Sequence, residues 1–177
     1  MANRQEGLIH LYVGDGKGKT TAAMGLAVRA KGAGKRVLVA QFLKGQPTSE
    51  LGPLKSLGID VIRTEEMKKF VFQMDEEELA AARQNCRTVL GRVREAIEGG
   101  EYDLFVLDEV VDAVNVKLVD SKELLSILSG RAKDAEVVMT GRNPGEDLVE
   151  AADYLTMMTA LKHPYQRGIQ SRKGIEF

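Results

Sequence analysis

Between Gly14 and Thr21 the chain reads GDGKGKTT, which puts three glycines, two lysines and two threonines into eight residues. Glycines at alternate positions let the backbone turn so that successive amide hydrogens converge on an anion. A helix starting just after them adds the positive end of its dipole. That is the chemistry of a phosphate grip. Lys19 is the compact cation for phosphate oxygens, Thr20 offers a hydroxyl to Mg²⁺, and Thr21 adds a further hydroxyl. Gly14, Asp15, Gly16, Lys17 and Gly18 form the cradle. The usual spelling, G-x-x-x-x-G-K-[ST], needs a glycine five residues before Gly18, where this chain has Val13; its glycine comes one position late, at Gly14. A plain Gly/Lys surface turn is the other reading of the same letters. Asp15 fits poorly, because a carboxylate repels phosphate unless it points outward or meets a metal or a ribose.

Three further groups carry possible chemistry. LFVLDE, Leu104 to Glu109, is an apolar run closing on two acids. At the carboxyl edge of a parallel sheet such acids stand beside a phosphate loop, so one of Asp108 and Glu109 is expected to meet Mg²⁺; two solvated acids at a strand end is the bland alternative. TGR, Thr140 to Arg142, ends another apolar run. Its guanidinium either reaches a terminal phosphate with paired hydrogen bonds or lies on the surface. In a chain with 5% aromatic residues, Phe70 and Phe72 stand one residue apart in a loop. They are either a mobile apolar lid or core anchors. His10 and His163 have no partner at metal-ligand spacing and are assigned structural roles. No GxSxG, CxxC or HExxH occurs.

The elements that must position these groups alternate. Leu8 to Val13 is β-rich and runs into the glycine loop, after which Ala23, Leu26, Ala27 and Ala30 recur at helical spacing up to Gly32 and Gly34. RVLVAQFL, 36–43, is a strand buried on both faces. A turn-rich loop follows, then a short helical piece over LKSLG (54–58) and a strand over IDVIRT (59–64). Leu79, Ala82, Cys86, Leu90, Val93 and Ile97 make one stripe of a long helix with Asp75 as N-cap, stopped by Gly99 and Gly100. Then come the strand into Asp108 and Glu109, a helix capped by Ser121, the strand AEVVMTGR, a short helix over GEDLVEAA, and a last strand over DYLTMMTAL (153–161). This is an α/β chain with a mostly parallel sheet flanked by helices on both sides. With 177 residues it suits one domain, 1–177. Its 25 basic and 26 acidic side chains give a net charge of −1, which supplies no global field for nucleic acid or anionic lipid. A single cysteine suits a reducing compartment. No apolar run approaches the roughly 20 residues that cross a bilayer, and the expected location is the cytoplasm.

With these residues in order, the chain resembles the ATP:corrinoid adenosyltransferases of the cob(I)yrinic acid a,c-diamide and cobalamin type. The matching stretches are GDGKGKTTAAMGLAVRA, VLVAQFLKG, FVFQMD, FVLDE, VVMTGR, AADYLT and LKHPYQRGIQSRKGIEF. The early glycine of GDGKGKTT is the most specific of them. The resemblance implies a P-loop NTPase (RecA-like) three-layer sandwich. It also implies transfer of the 5′-deoxyadenosyl group of ATP to the Co(I) centre of a reduced corrinoid, with triphosphate as leaving group and Mg²⁺ as cofactor. ATP would lie in the loop in the reverse sense, γ-phosphate where an ordinary nucleotide has its α-phosphate. A loop one residue shorter loses up to about 3.5 Å of reach, and the hypothesis is that this changes which phosphate the amides surround. The resemblance further implies that Lys19 and Arg142 contact phosphate, that Thr20 and Glu109 contact the metal, and that Phe70 and Phe72 displace the corrinoid's lower axial ligand. A homodimer and an electron donor such as a flavodoxin or flavin reductase are implied as well. Three departures stand out: Phe72 where the family often has tryptophan, Asp15 where asparagine is common, and only about seven residues ahead of the first strand, where fuller members have a helix covering the site. A kinase or ATPase, or a nucleotide-dependent corrinoid-binding protein without catalysis, are the rival readings.

Overall fold

The structure is a computed structural model that describes residues 6–44, 48–65, 69 and 71–177. Six strands form one sheet: β1 (Ile9–Val13), β2 (Val37–Gln41), β3 (Asp60–Arg63), β4 (Leu104–Asp108), β5 (Glu136–Gly141) and β6 (Tyr154–Met157). Their order is β3-β2-β4-β5-β1-β6, and every pairing is parallel. The α-helices among the described residues are α1 (Lys19–Gly32), α2 (Leu51–Ser56), α3 (Glu76–Gly99), α4 (Val110–Asn115), α5 (Ser121–Ser129) and α6 (Glu146–Glu150), with short 3₁₀ turns at Val71–Gln73 and Pro164–Arg167.

The period of two along each strand divides the core. Leu38 and Ala40 of β2, Phe105 and Leu107 of β4, and Val137 and Met139 of β5 face α3 and α5. Val37, Val39, Leu104, Val106 and Val138 face the opposite way, onto Ala23, Met24, Ala27 and Ala30 of α1 and Leu54 of α2. Strands buried on both sides must be apolar at nearly every position, and this is why VLVAQ and LFVLD read as continuous runs. The three-layer α/β expectation therefore holds.

Asp75 caps α3 as expected, within a capping box in which its side chain accepts from the Glu78 amide and Glu78 accepts from the Asp75 amide. The cap of α5 is Asp120 rather than Ser121: the Asp120 side chain accepts from the Glu123 amide at 2.8 Å. Both residue types cap well, and the choice falls to the one whose backbone is still extended. The last strand is shorter than its apolar stretch, ending at Met157. It is an edge strand paired only with β1, and all four of its residues are exposed. Helix α4 had no counterpart in the sequence reading. Among the described residues no helix is long and apolar enough to cross a membrane.

Candidate functional site

The strands β2, β4, β5 and β1 lie side by side and all point the same way, so the segments leaving their carboxyl ends meet at one edge. Lys44 follows β2, Glu109 follows β4, Arg142 follows β5, and the glycine loop follows β1. Together they wall a cleft of about 790 Å³ that includes Lys17, Gly18, Lys19, Thr20 and Thr21. This volume is in the range that takes a small ligand such as a nucleotide.

The first half of the loop has a different role from the second. A side chain at Gly14, whose φ is +112°, would place its Cβ 2.3 Å from the Met158 carbonyl oxygen, and one at Gly16 would place it 2.7 Å away. The Gly16 amide donates to that same oxygen at 2.7 Å. Asp15 accepts from the Ala160 amide at 3.1 Å, which settles its awkward charge: it points away from the cleft, onto the segment leaving β6. Gly14 to Gly16 thus bolt the loop to the chain beyond β6, and the lining of the cleft begins at Lys17. Lys19 Nζ donates to the Gly16 carbonyl at 2.8 Å. Its pKa is lowered by burial and then by Arg142, against the pull of Asp112, Asp15 and Glu109.

The acid pair divides its work. Asp108 is fully buried. Its Oδ1 accepts from the hydroxyls of Thr20 at 2.9 Å and Thr140 at 2.7 Å, and its Oδ2 accepts from Lys44 Nζ at 2.7 Å. The Thr140 hydroxyl in turn accepts from the Glu109 amide at 2.9 Å, which fixes the turn out of β4. Glu109 has φ 61°, a left-handed conformation uncommon outside glycine, asparagine and aspartate, and it lines the cleft with 31% of its side chain exposed. Burial pushes its carboxyl up to about 7, with Asp108 and Asp112 adding to the shift and Lys44 opposing it. Burial alone would pull the Lys44 ammonium down, but Asp108 and Glu109 outweigh it and hold it above the ordinary lysine value.

Arg142 lines the cleft with its side chain exposed; its amide donates to Asp112 Oδ1 at 3.2 Å and its carbonyl accepts from Asn115. Asp112 also lines the cleft, and burial raises its pKa against the Arg142 amide and charge. Phe70 and the Phe72 side chain lie outside the described residues, while their neighbours Lys69, Val71 and Gln73 border the cleft. At the mouth, Lys17 Nζ donates to the Ile175 carbonyl at 2.8 Å and to Glu176 Oε1 at 2.9 Å, which brings the 171–177 segment over the loop. Both histidines are structural: His10 pairs with Glu136 and tilts against Tyr154, and His163 accepts from the Tyr165 amide.

Among the described residues, no cluster of three or more His, Cys, Asp or Glu side chains is arranged to hold a metal. Magnesium does not need one, because it keeps water and takes one or two protein oxygens together with substrate phosphates. Thr20 Oγ1 and the Glu109 carboxylate are hard oxygens on the same cleft and suit that demand. Sequence reasoning overlooked Lys44 and Asp112, and gave Thr140, within the TGR run, no role of its own. The available signal was position: each lies at or just past the end of a strand whose neighbours carry the loop and the acids.

Residues 5–177 match the family described as ATP:corrinoid adenosyltransferase BtuR/CobO/CobP. The corrinoid adenosyltransferase of Escherichia coli (strain K12) is 31% identical over 177 residues, which is 99% of this chain and 88% of that protein. Corrinoid adenosyltransferase CobA of Salmonella typhimurium gives the same identity and the same shares, and a Sinorhizobium sp relative is 31% identical over 98% of this chain and 81% of its own length. Among solved structures, domain III of the Thermotoga maritima replication initiation protein DnaA aligns with a TM-score of 0.45 at 12% identity, covering 89% of this chain and 56% of that one.

Proposed function

The chain belongs to the ATP:corrinoid adenosyltransferase family, and from that premise we propose that it moves the 5′-deoxyadenosyl group of ATP onto the cobalt of a reduced corrinoid. The observation that carries this reading is the convergence of Lys19, Thr20, Glu109 and Arg142 on one cleft. In the reaction, the electron pair on Co(I) forms the Co–C5′ bond. The C5′–O bond breaks, and its pair leaves with triphosphate.

Negative charge therefore builds on the leaving group rather than on a transferring phosphoryl. Lys19 and Arg142, both on the lining of the cleft, supply positive charge to stabilise it. No side chain has to take a proton, because the nucleophile arrives with its own electron pair. Thr20 and Glu109 would hold Mg²⁺, which when bound offsets the charge of the triphosphate. The reversed seat for ATP belongs to the same proposal. It is supported by the loop's first half, where the Gly16 amide is already bonded to Met158 and so is not left to phosphate, and by the lining of the cleft, which begins at Lys17.

Phe70 and Phe72 are assigned to the corrinoid side, as the pair that displaces the lower axial ligand and makes Co(II) easier to reduce. Their segment borders the cleft through Lys69, Val71 and Gln73, which supports that place. Removing both rings is expected to damage turnover from Co(II) more than turnover from chemically generated Co(I); equal losses argue against the role. The reaction needs cobalt as Co(I), so an electron donor of the flavodoxin or flavin reductase kind is part of the proposal. So is a homodimer, supported by the exposed Tyr154, Leu155 and Met157 on the edge strand.

The test is to mix the protein with MgATP and a Co(I)-corrinoid. The expected result is a light-sensitive alkylated corrinoid and one triphosphate for each Co–C bond. Release of ADP or orthophosphate with the corrinoid unalkylated would overturn the proposal in favour of a kinase or ATPase.

A further inference from the structure

Lys44 sits among four oxygens. Its Nζ is 2.7 Å from Asp108 Oδ2, 3.2 Å from Thr20 Oγ1, 3.6 Å from Glu50 Oε1 and 4.0 Å from Glu109 Oε1. Only 16% of its side chain is exposed. The set includes Thr20 and Glu109, the two groups the proposed function gives to Mg²⁺.

The direction of the hydrogen bonds is informative. Thr20 has one hydroxyl hydrogen, and it goes to Asp108 Oδ1 at 2.9 Å. What the oxygen presents to Lys44 is therefore a lone pair, which accepts from the ammonium. Ligation of a metal ion requires the same arrangement, with the hydrogen turned to a carboxylate and a lone pair turned to the cation. A magnesium ion held by Thr20 Oγ1 would share that oxygen with the ammonium, and two cations on one hydroxyl repel. The contact with Asp108 is under no such pressure, because it lies on the far oxygen of a carboxylate with no solvent exposure.

We propose that Lys44 is a positioning residue of the nucleotide site: its ammonium stands in for the metal at the Thr20 hydroxyl, keeps that hydroxyl and the acid pair in their ligand-ready arrangement, and yields Thr20 to the ion that arrives with ATP while staying on Asp108. Two consequences follow. Without a metal, the ammonium offsets acids that would otherwise repel the triphosphate, so nucleotide still binds. With a metal, the ion must displace the ammonium from Thr20, so Lys44 raises the Mg²⁺ concentration needed to tighten binding.

This inference rests on the nucleotide reading and is tested by binding alone. Calorimetric titration of ATP into wild-type protein and Lys44→Met is run in EDTA and across a Mg²⁺ series. In EDTA the substitution is expected to weaken ATP binding about tenfold or more. Across the series it should lower the half-saturating Mg²⁺ concentration several-fold and enlarge the affinity gained from Mg²⁺. A lysine that only supported the fold would weaken binding by the same factor with and without the ion, and that result overturns the inference. If Lys44→Met does not fold, the wild type decides: an ATP affinity that changes by less than tenfold on chelation supports the stand-in, and a larger drop overturns it. Absence of ATP binding under every condition removes the nucleotide reading itself, and this inference with it.

Discussion

Replacing Asp108 by Asn, Lys44 by Met, and both together measures how much of the fold depends on the acid cluster. Asp108 has no solvent exposure and accepts three hydrogen bonds, while Lys44 is 16% exposed. In Asp108→Asn the carbonyl keeps the two hydroxyl contacts, but the new amide turns its own donors towards the Lys44 ammonium. Breaking a buried ion pair from one side costs about 3–5 kcal/mol. The residual exposure of Lys44 puts this case at the lower end, about 3 kcal/mol. In a chain of this length that lowers the melting midpoint by roughly 6–12 °C, at about 2–4 °C per kcal/mol. In the Lys44→Met background no ammonium remains to be stranded, so the same change should cost less than about 1 kcal/mol, a coupling of about 2 kcal/mol. Urea denaturation of the four proteins at pH 8 gives the cycle. If Asp108→Asn costs the same in both backgrounds within about 0.5 kcal/mol, the two side chains are not an energetic pair and the reasoning about Lys44 fails at its base.

Arg142→Ala removes an exposed guanidinium from a residue that bonds helix α4 through its backbone; stability should stay within about 0.5 kcal/mol while adenosyl transfer falls about 10²–10³-fold, and a loss confined to KM would refute the leaving-group role. Glu109 has a folded pKa of about 7, above its ordinary 4.5, so the native state binds more protons between those values and stability falls as pH rises through that window. The effect should be of order 2 kcal/mol after allowing for solvent access. Glu109→Gln should flatten that slope in urea midpoints from pH 4 to 8, and an unchanged slope refutes the assignment. Because a metal prefers the ionised carboxylate, Mg²⁺-dependent ATP binding should strengthen from pH 6 to 8 with proton release beyond that of MgATP formation itself, and that excess should vanish in Glu109→Gln. Cys86 is fully buried and burial raises its thiol to about 11; it should resist alkylating reagents in native protein and react only on unfolding, and rapid native labelling would contradict its place in the core.

Local signals carried most of the elements. Asp75, Glu78 and Gly100 mark both ends of α3 by chemistry confined to a few residues, and the structure uses all three. The apolar runs of β2, β4 and β5 are long because both faces are covered. Where neighbouring candidates of equal aptitude compete, as Asp120 and Ser121 do for the cap of α5, sequence has no lever, since the outcome turns on which backbone is still extended. Helix α4 was missed because its turn begins at Glu109 in a left-handed conformation, held by a bond from its amide to Thr140, 31 residues away.

The same division holds at the site. From its own letters the chain determined a glycine loop between a strand and a helix, with Lys19 and Thr20 at the helix start, and two acids and an arginine at the ends of buried strands. These are local facts, set by glycine torsions, side-chain type and the period of burial. The tertiary structure alone decided that β2, β4, β5 and β1 stand in that order. It follows that Lys44 rather than solvent faces Asp108, and that Gly14 and Gly16 serve Met158 while Lys17 to Thr21 serve the cleft. Strand order is fixed by the packing of distant segments against one another. No window of sequence contains the neighbours that decide what each charged group will meet.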